Sequence, residues 1–187
     1  MQEQPIRLRD YQNVAFSRGR SRLVELLWLV VQALFVSSWV PGAPHRRALL
    51  RLFGAKVGAG VDLKPYLKVK FPWKLIIGDH SWIGENVWID NLETVAVGSN
   101  CCISQGAYLC TGSHNWATDT FSLITSPITI DDGVWISASS ILGPGVRAAT
   151  GSVLLMGSVA TKSLDAWTIY QGNPAVKRGP RTLAVSR

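Results

Sequence analysis

The amino-acid sequence predicts a mainly β fold, in which a helical N-terminal arm precedes a triangular prism of about five parallel β-coils. An aliphatic residue returns every six positions from Val57 onward, and a small residue commonly follows it four places later. Fifteen such hexads can be written between residues 57 and 165, and they group in threes. A single hexad cannot bury its apolar side, whereas stacked coils of three short strands can, so this period indicates a β-solenoid.

The predicted arm, residues 1–56, differs from the repeat in its charge. It contains nine Arg or Lys and three acidic residues, which gives +6 of the formal net charge of +7. Residues 1–21 are polar and basic without a clear period, so we expect an irregular segment there. Nucleic-acid binders usually spread basic and aromatic residues over the folded surface, and no nucleic-acid partner is expected. A basic arm fits an anionic lipid surface or a solvated tail, and composition leaves both open.

An apolar run over residues 23–40 predicts one helix, which Pro41 and Gly42 would end. Its length is near the lower limit for spanning a bilayer. Glu25 and Gln32 lie within it, and arginines flank both sides, so the positive-inside rule gives no orientation. A helix that packs on the domain or lies in a membrane interface fits the sequence better than a span, and the sequence does not choose between these two.

Each place in a hexad predicts an environment for its side chain. The aliphatic first place points into the prism, and the small fifth place fits near a corner. Glycines at the second and fourth places meet the need for tight corners and positive φ. Two additional residues follow each of the first two groups of three hexads, which keeps the coils in register.

The rhythm stops at His114 and resumes at Ile130. We expect residues 115–129 to form an insertion loop that leaves the regular scaffold beside this histidine. Imidazole is the natural side chain for accepting a proton near neutral pH, so His114 is the candidate general base. No serine-nucleophile, Walker or dinucleotide-binding motif is present, which favours a direct transfer over a covalent intermediate.

Several motifs together resemble the hexapeptide-repeat acyltransferases: the hexads, T-G-S-H-N (111–115), P-I-T-I-D-D-G-V-W-I (127–136), G-S-V-A-T-K (157–162) and G-N-P-A (172–175). Within that family the chain is similar to the colanic-acid-biosynthesis type, a branch near the maltose and galactoside O-acetyltransferases. Three stretches carry this closer likeness: R-R-A-L-L-R-L-F-G-A-K-V-G (46–58), S-W-I-G-E-N-V-W-I-D-N-L (81–92) and S-Q-G-A-Y-L-C-T-G-S-H-N (104–115).

The resemblance implies a left-handed parallel β-helix and a cytoplasmic homotrimer with active sites between subunits. It also implies acetyl transfer from acetyl-CoA to a hydroxyl of a sugar or polysaccharide precursor, with no metal. The handedness comes from the resemblance alone, since the general rule for parallel crossovers favours the opposite hand. We further expect the arm to place the enzyme at the inner face of the membrane without being needed for transfer to a soluble acceptor.

The resemblance also implies roles for individual residues. His114 is expected as the general base, Asn91 as a residue that orients the acceptor or acetyl group, and Asp90 and Asn115 as acceptor contacts. The acetyl-CoA contacts are expected at Trp135, Ala138, Met156, Thr161, Lys162, Lys177 and Arg178. This chain departs from the family pattern at A-A-T-G (148–151) and at Met156, where a small residue usually faces the thioester.

Three alternatives remain at the level of sequence. An N-acetyltransferase acting on an amino sugar would use the same residues. A γ-carbonic-anhydrase-like metalloenzyme needs three histidines at coil spacing, whereas only His80 and His114 lie in the repeat. A non-catalytic solenoid would show uniform columns of Thr or aromatic residues on one face. The three cysteines, none in a CxxC pair, indicate neither a zinc site nor a disulfide framework, which fits a reducing cytoplasm.

These features divide the chain into three parts. Residues 1–56 form the basic arm with its apolar helix, residues 57–171 the β-helix with its insertion, and residues 172–187 a tail that begins with G-N-P-A.

Overall fold

A computed structural model of the chain describes residues 6–11, 13 and 16–184. Three mainly parallel sheets, A, B and C, form the sides of a prism, and the chain visits them in turn. Predictions that fall on residues 1–5, 12, 14–15 and 185–187, within the arm and the tail, lie outside the described residues.

The strands are two to five residues long and stack in register from coil to coil. Sheet A contains β1 (Lys56–Val57), β4 (Leu75–Ile77), β7 (Val95–Val97), β12 (Ile128–Ile130) and β15 (Arg147–Ala148). Sheet B contains β2 (Asp62–Leu63), β5 (Trp82–Ile83), β8 (Cys102–Ile103), β13 (Trp135–Ile136), β16 (Val153–Leu154), β18 (Thr168–Gln171) and β19 (Val176–Pro180). Sheet C contains β3 (Lys68–Val69), β6 (Trp88–Asp90), β9 (Tyr108–Cys110), β14 (Ile141–Leu142) and β17 (Val159–Ala160).

The parallel β-helix predicted from the hexads is confirmed, with about six coils in place of the predicted five. The additional, incomplete coil forms where Leu164 bridges to Ala148 and β18 pairs with β16. Its inward side chain is Tyr170, which is 6% exposed and lies opposite Leu154. An aromatic residue replaces the aliphatic one at this point, so the six-residue pattern does not mark the coil.

Side-chain burial follows the hexad places. All fifteen first-place residues are at most 9% exposed, including Ala148 in the irregular A-A-T-G hexad. Eleven of the fifteen fourth-place residues adopt positive φ, among them Gly106 at 67° and His80 at 56°. Second-place glycines are required for another reason: a Cβ at Gly98 would lie 2.4 Å from the Asp132 carboxylate of the next coil.

The N-terminal helical region is shorter and more broken than the sequence predicts. An α-helix, α1, spans Arg22–Val31 and continues as one π-helical turn over Gln32–Val36. A second helix, α2, spans Pro44–Leu52. On α2, Arg46 is fully buried and donates to four main-chain carbonyls of the segment between the helices and its flanks, which belong to Val36, Ser38, Val40 and Gly42. The predicted helical end at Val40 is therefore wrong, because those carbonyls face this guanidinium. Two 3₁₀ turns complete the helical segments, at Leu8–Asp10 and Pro72–Lys74.

Helices α1 and α2 cover the open edge of the first coil. Trp28 Nε1 donates to the Val69 carbonyl at 2.8 Å, and Gln32 Oε1 accepts the Val69 N–H at 2.6 Å. On α2, Arg47 and Arg51 donate to carbonyls of the same coil. An unpaired strand edge is a liability in any sheet, and these side chains satisfy it. Among the helices that the structure describes, none has the length and hydrophobicity needed to cross a bilayer.

The predicted G-N-P-A tail continues sheet B. Strands β18 and β19 form an antiparallel hairpin around residues 172–175. Arg181 extends the contact by donating to the carbonyls of Gly133 and Gly151. The hairpin therefore covers the last coils. The predicted boundary between the β-helix (residues 57–171) and the tail (residues 172–187) lies within this hairpin.

Candidate functional site

The insertion is a β-hairpin that begins three residues earlier than the sequence indicates. Strand β10 (Gly112–His114) pairs antiparallel with β11 (Leu123–Thr125), and the coil resumes at Ile128. Thr111 starts the departure: its buried hydroxyl donates to the Asp90 carbonyl and accepts the Glu93 N–H. The expected insertion limits of 115–129 are therefore shifted, and His114 lies on a hairpin strand instead of ending a coil.

His114 is held by Phe121 on the opposite side of this hairpin. The two rings stack with centroids 4.4 Å apart and an interplanar angle of 7°. His114 Nδ1 lies 2.8 Å from the Phe121 carbonyl oxygen. A carbonyl can only accept a hydrogen bond, so Nδ1 carries the proton and Nε2 of the neutral ring keeps its lone pair. The half-buried imidazole thus has a fixed orientation and one nitrogen able to accept a proton.

The N-terminal arm reaches the same hairpin, which the sequence analysis did not predict. The Tyr11 ring lies 5.9 Å from the His114 ring, tilted by 56°. Arg7 donates its main-chain N–H to the Asp119 carbonyl at 2.8 Å and its guanidinium to the Asp119 carboxylate at 2.5 Å. The Arg7 hydrogen bond lowers the pKa of Asp119. No local motif in residues 6–11 signals a contact across 112 positions of the chain.

Asn91, which was expected to orient the acceptor or acetyl group, lies in the interior of the prism. Its side chain is fully buried. Oδ1 accepts the Phe71 N–H at 2.9 Å, and Nδ2 donates to the Phe71 carbonyl at 2.6 Å. Both ends of the amide thus bond to the preceding coil, which holds the side chain in place.

The two expected acceptor contacts lie in different settings. Asp90 is on sheet C, where its carboxylate lies 3.0 Å from Lys70 Nζ and accepts from the Tyr108 hydroxyl at 3.1 Å. Burial raises the pKa of Tyr108, and the neighbouring Asp90 adds to this rise. Asn115 follows β10, and its Oδ1 accepts the Ala117 N–H at 3.1 Å. The Asn115 side chain therefore fixes the hairpin turn with its oxygen, while its amide nitrogen is not part of that bond.

Three of the expected acetyl-CoA contacts line one cavity of about 400 Å³. They are Trp135, Ala138 and Met156, and the Trp135 indole donates to the Ser104 hydroxyl at 2.9 Å. A second cavity of about 380 Å³ shares Ser104 and Gln105 with the first and extends to Lys64 in the first coil. The two cavities form one groove along the corner between sheets B and C, which we call the B–C groove.

The remaining expected donor contacts lie outside the B–C groove. Thr161 and Lys162 are exposed just after β17, and Arg178 is exposed on β19. Lys177 forms an ion pair with Asp165, and the hydrogen bond to Asp165 raises the pKa of Lys177. Within the described ranges, neither Lys162 nor Arg178 forms an ion pair. These two cations remain available to a ligand phosphate.

His114, the candidate general base, and the B–C groove lie at different corners of the prism. The hairpin that carries His114 connects β9 of sheet C to β12 of sheet A. Trp135 and Ala138 lie where β13 of sheet B leads to β14 of sheet C. A single chain therefore does not bring its own His114 to its own Trp135 along one corner.

A metal site does not emerge from the residues that the structure describes. No three His, Cys, Asp or Glu side chains come together there as a metal ion would require. The carbonic-anhydrase-like alternative therefore gains no support from the arrangement of side chains.

Comparisons with known proteins agree on the kind of molecule. The chain is 40% identical over 163 residues to a protein of Escherichia coli (strain K12) that bears the name colanic acid biosynthesis acetyltransferase WcaF, covering 86% of this chain and 88% of that one. It is 28% identical over 132 residues to the galactoside O-acetyltransferase of the same organism, covering 69% and 65%. No family model matches the chain.

Solved structures share the fold. The hexapeptide-repeat acetyltransferase VCA0836 of Vibrio cholerae, solved with acetyl-coenzyme A, has a TM-score of 0.78 at 24% identity, covering 86% of this chain and 88% of that one. A galactoside acetyltransferase solved with coenzyme A has a TM-score of 0.76 at 22% identity, covering 86% and 82%. At these identities the likeness concerns the fold alone.

Proposed function

Since the chain belongs to the hexapeptide-repeat acetyltransferases of the colanic-acid-biosynthesis type, we propose that it transfers an acetyl group from acetyl-CoA to a hydroxyl of a sugar or polysaccharide precursor. The observation that carries this proposal is the fixed tautomer of His114. Its Nδ1 is bonded to the Phe121 carbonyl, so Nε2 is free to accept a proton. A neutral imidazole held in place is what a hydroxyl nucleophile needs as its general base.

The transfer takes place in two steps on one bound pair of substrates. As the acceptor oxygen attacks the thioester carbonyl, its proton passes to His114 Nε2, and a tetrahedral oxyanion forms. The carbon–sulfur bond then breaks, and the leaving thiolate takes the proton from the imidazolium. The products are an O-acetyl ester and free CoA, so atoms and charge balance without a metal or a covalent enzyme intermediate.

The B–C groove is the proposed site of acetyl-CoA. Trp135 would pack against the pantetheine arm, and Met156 would limit the space beside the thioester. The Ala138 N–H has no acceptor within the described part of the chain, so it is available to the developing oxyanion. The exposed groups of Thr161, Lys162, Lys177 and Arg178 would contact the nucleotide and its phosphates.

We also propose that the active enzyme is a homotrimer with shared sites. His114 and the B–C groove lie at different corners of one prism, so a site that uses both needs two copies of the chain. Prisms packed side by side with threefold symmetry would bring the hairpin of one protomer to the B–C groove of its partner. Asp90, at the end of β6, and Asn115, just after β10, would then border the acceptor on the His114 side.

An acceptor amine is the second candidate, favoured by a local likeness of 36% identity over 50 residues to an N-acetyltransferase of Staphylococcus aureus. The longer relatives favour a hydroxyl, since the galactoside O-acetyltransferase matches over 132 residues. We also propose that the enzyme acts in the cytoplasm, at the inner face of the membrane, where a saccharide precursor would be assembled.

An assay that monitors acetyl-CoA consumption through the release of free CoA thiol tests the reaction. The acceptor panel would include simple glycosides, nucleotide sugars and lipid-linked sugars, with an amino sugar in each group. We expect a product that releases acetate under mild alkali, as an ester does. An alkali-stable product would assign N-acetylation, and no thiol release with any acceptor would overturn acetyl transfer.

A further inference from the structure

Helix α1 is apolar on the side that faces away from the prism. Its inner side packs against coil 1 through Trp28, which is fully buried. Its outer side and the following π turn expose Leu23, Leu26, Leu27, Val30, Leu34 and Phe35, each between 49% and 76%. A helix that is apolar all round is normally buried on all sides. The outer side of α1 is therefore a surface that lacks its partner in the single chain.

The segment after the π turn presents a tryptophan beside this face. Trp39 is 72% exposed and Val40 is 44% exposed. Their main chain is fixed from behind, because the buried Arg46 donates to the carbonyls of Ser38 and Val40. The exposure of Trp39 is thus built into a rigid turn. Tryptophan prefers the boundary between hydrocarbon and water, which is where such a turn would place it.

Positive charge borders the apolar side at the N-terminal end of α1. Residues 16–56 contain seven Arg or Lys and a single acidic residue, Glu25. Glu25 is neutralised by Arg18 at 2.5 Å, and its side chain is only 18% exposed. Arg20 and Arg22 are exposed where α1 begins. An apolar face bordered by cations complements a surface that is apolar inside and anionic at its headgroups.

A groove between the two helices has the same combination of properties. Its volume is about 420 Å³, and Val24, Leu27, Leu52 and Phe53 line it. Arg20 stands at its edge. An acyl chain would fill the apolar part while the guanidinium contacts the phosphate above it.

We propose that the outer side of α1, the Trp39 turn and the Arg20 groove form one membrane-docking face that binds the interface of an anionic phospholipid leaflet. This inference deepens the proposed location at the inner face of the membrane and rests on it, but not on the acetyl-transfer chemistry. A second copy of the chain is a poorer occupant, because two identical cationic borders would face each other. The helix lies in the interface plane, since it is too short to span.

Co-sedimentation of the full chain with vesicles tests the proposal. One set of vesicles contains phosphatidylcholine alone, and the other contains phosphatidylcholine with phosphatidylglycerol. We expect binding to the anionic set that weakens in high salt. The double variant Leu27→Ser/Trp39→Ser should reduce the partition coefficient roughly tenfold or more. Arg20→Gln/Arg22→Gln should reduce it about tenfold on anionic vesicles only.

Trp116→Ser is the matched control, because Trp116 is 82% exposed but lies on the insertion hairpin. It should bind vesicles as the unaltered chain does. Because all the altered side chains are exposed, far-ultraviolet circular dichroism should stay the same and certify folding. Recovery of the unaltered chain in the supernatant with both vesicle sets would overturn the proposal. So would equal vesicle binding by the Leu27→Ser/Trp39→Ser variant.

Light scattering without vesicles distinguishes the other occupant. The proposal would fail if the Leu27→Ser/Trp39→Ser variant were a smaller oligomer than the unaltered chain and the unaltered chain did not bind vesicles. That pair of results would show that the face joins copies of the chain. Thiol release from acetyl-CoA with a soluble acceptor is measured in parallel. Loss of vesicle binding with retained transfer would reject only the docking face, whereas vesicle binding without transfer would reject only the proposed reaction.

Discussion

The ring of Tyr11 lies 5.9 Å from the ring of His114, so the N-terminal arm forms one wall beside the candidate base. The arm is attached by Arg7, which contacts Asp119 on the hairpin that carries the histidine. The sequence suggested that residues 1–56 could be removed without affecting transfer to a soluble acceptor. The geometry argues against that expectation, because removing them would expose both His114 and the edge of the first coil.

The substitution Arg7→Ala should weaken acceptor binding more than chemistry. Without the contact to Asp119, Tyr11 loses its fixed position, and the acceptor must order it on binding. We expect KM for the acceptor to rise several-fold with a smaller change in kcat, as for lost uniform binding. Arg9→Ala is the control, since the Arg9 side chain is 83% exposed. Equal effects of the two substitutions on KM would contradict this role for Arg7.

The attachment of the arm should also depend on pH. Arg7 lowers the pKa of Asp119, so the folded state favours the carboxylate. The stabilisation from the Arg7–Asp119 ion pair is fully present above the ordinary carboxyl pKa, and it is lost as pH falls through the lowered pKa. Hydrogen exchange at the Arg7 N–H, which donates to the Asp119 carbonyl, should show protection at neutral pH that declines in acid. Asp119→Asn should remove this pH dependence, and its persistence there would assign it to another group.

Asn91→Ala should destabilise the protein while leaving the chemical step intact. The substitution leaves the Phe71 N–H buried and unpaired, while the Phe71 carbonyl still accepts the Lys74 N–H. An unpaired buried group costs about 1–3 kcal/mol, so we expect a loss of about that size in the free energy of unfolding. Calorimetry should show a Tm lower by roughly 2–12 °C. A kcat reduced by orders of magnitude at an unchanged Tm would instead restore the catalytic role expected from sequence.

The sequence predicts the features that depend on local period and misses those that depend on distant contacts. Inward residues repeat every six positions, so burial of the first places follows directly from the letters. In the additional coil the inward residue is Tyr170, which is aromatic instead of aliphatic, so the six-residue pattern does not predict this coil. Asn91 shows a different limit, because asparagine is as suitable for an exposed turn as for a buried bridge between coils. The contact of Tyr11 with His114 has no local signature at all.

Activity should be restored by mixing two inactive variants if sites are shared between protomers. His114→Ala removes the base at the corner between sheets C and A, and Trp135→Ala alters the B–C groove. In a mixed trimer, some sites would pair an intact hairpin with an intact groove from the neighbouring protomer. Subunit exchange followed by thiol-release assays should recover a substantial fraction of activity. Mixtures that stay as inactive as either variant, despite verified exchange, would place both residues in one protomer's site.

His114→Ala should fold, bind acetyl-CoA almost normally and lose kcat by roughly 10²–10⁴-fold, as expected for removal of a general base. The imidazole stacks on Phe121 at the side of a hairpin, outside the prism core, so truncation opens no closed cavity and Tm should change little. The control is His80→Asn, which removes an exposed imidazole at a coil turn, where φ is 56° and asparagine is tolerated. If His114→Ala keeps normal turnover, the base lies elsewhere; if it melts early while His80→Asn does not, the ring is structural.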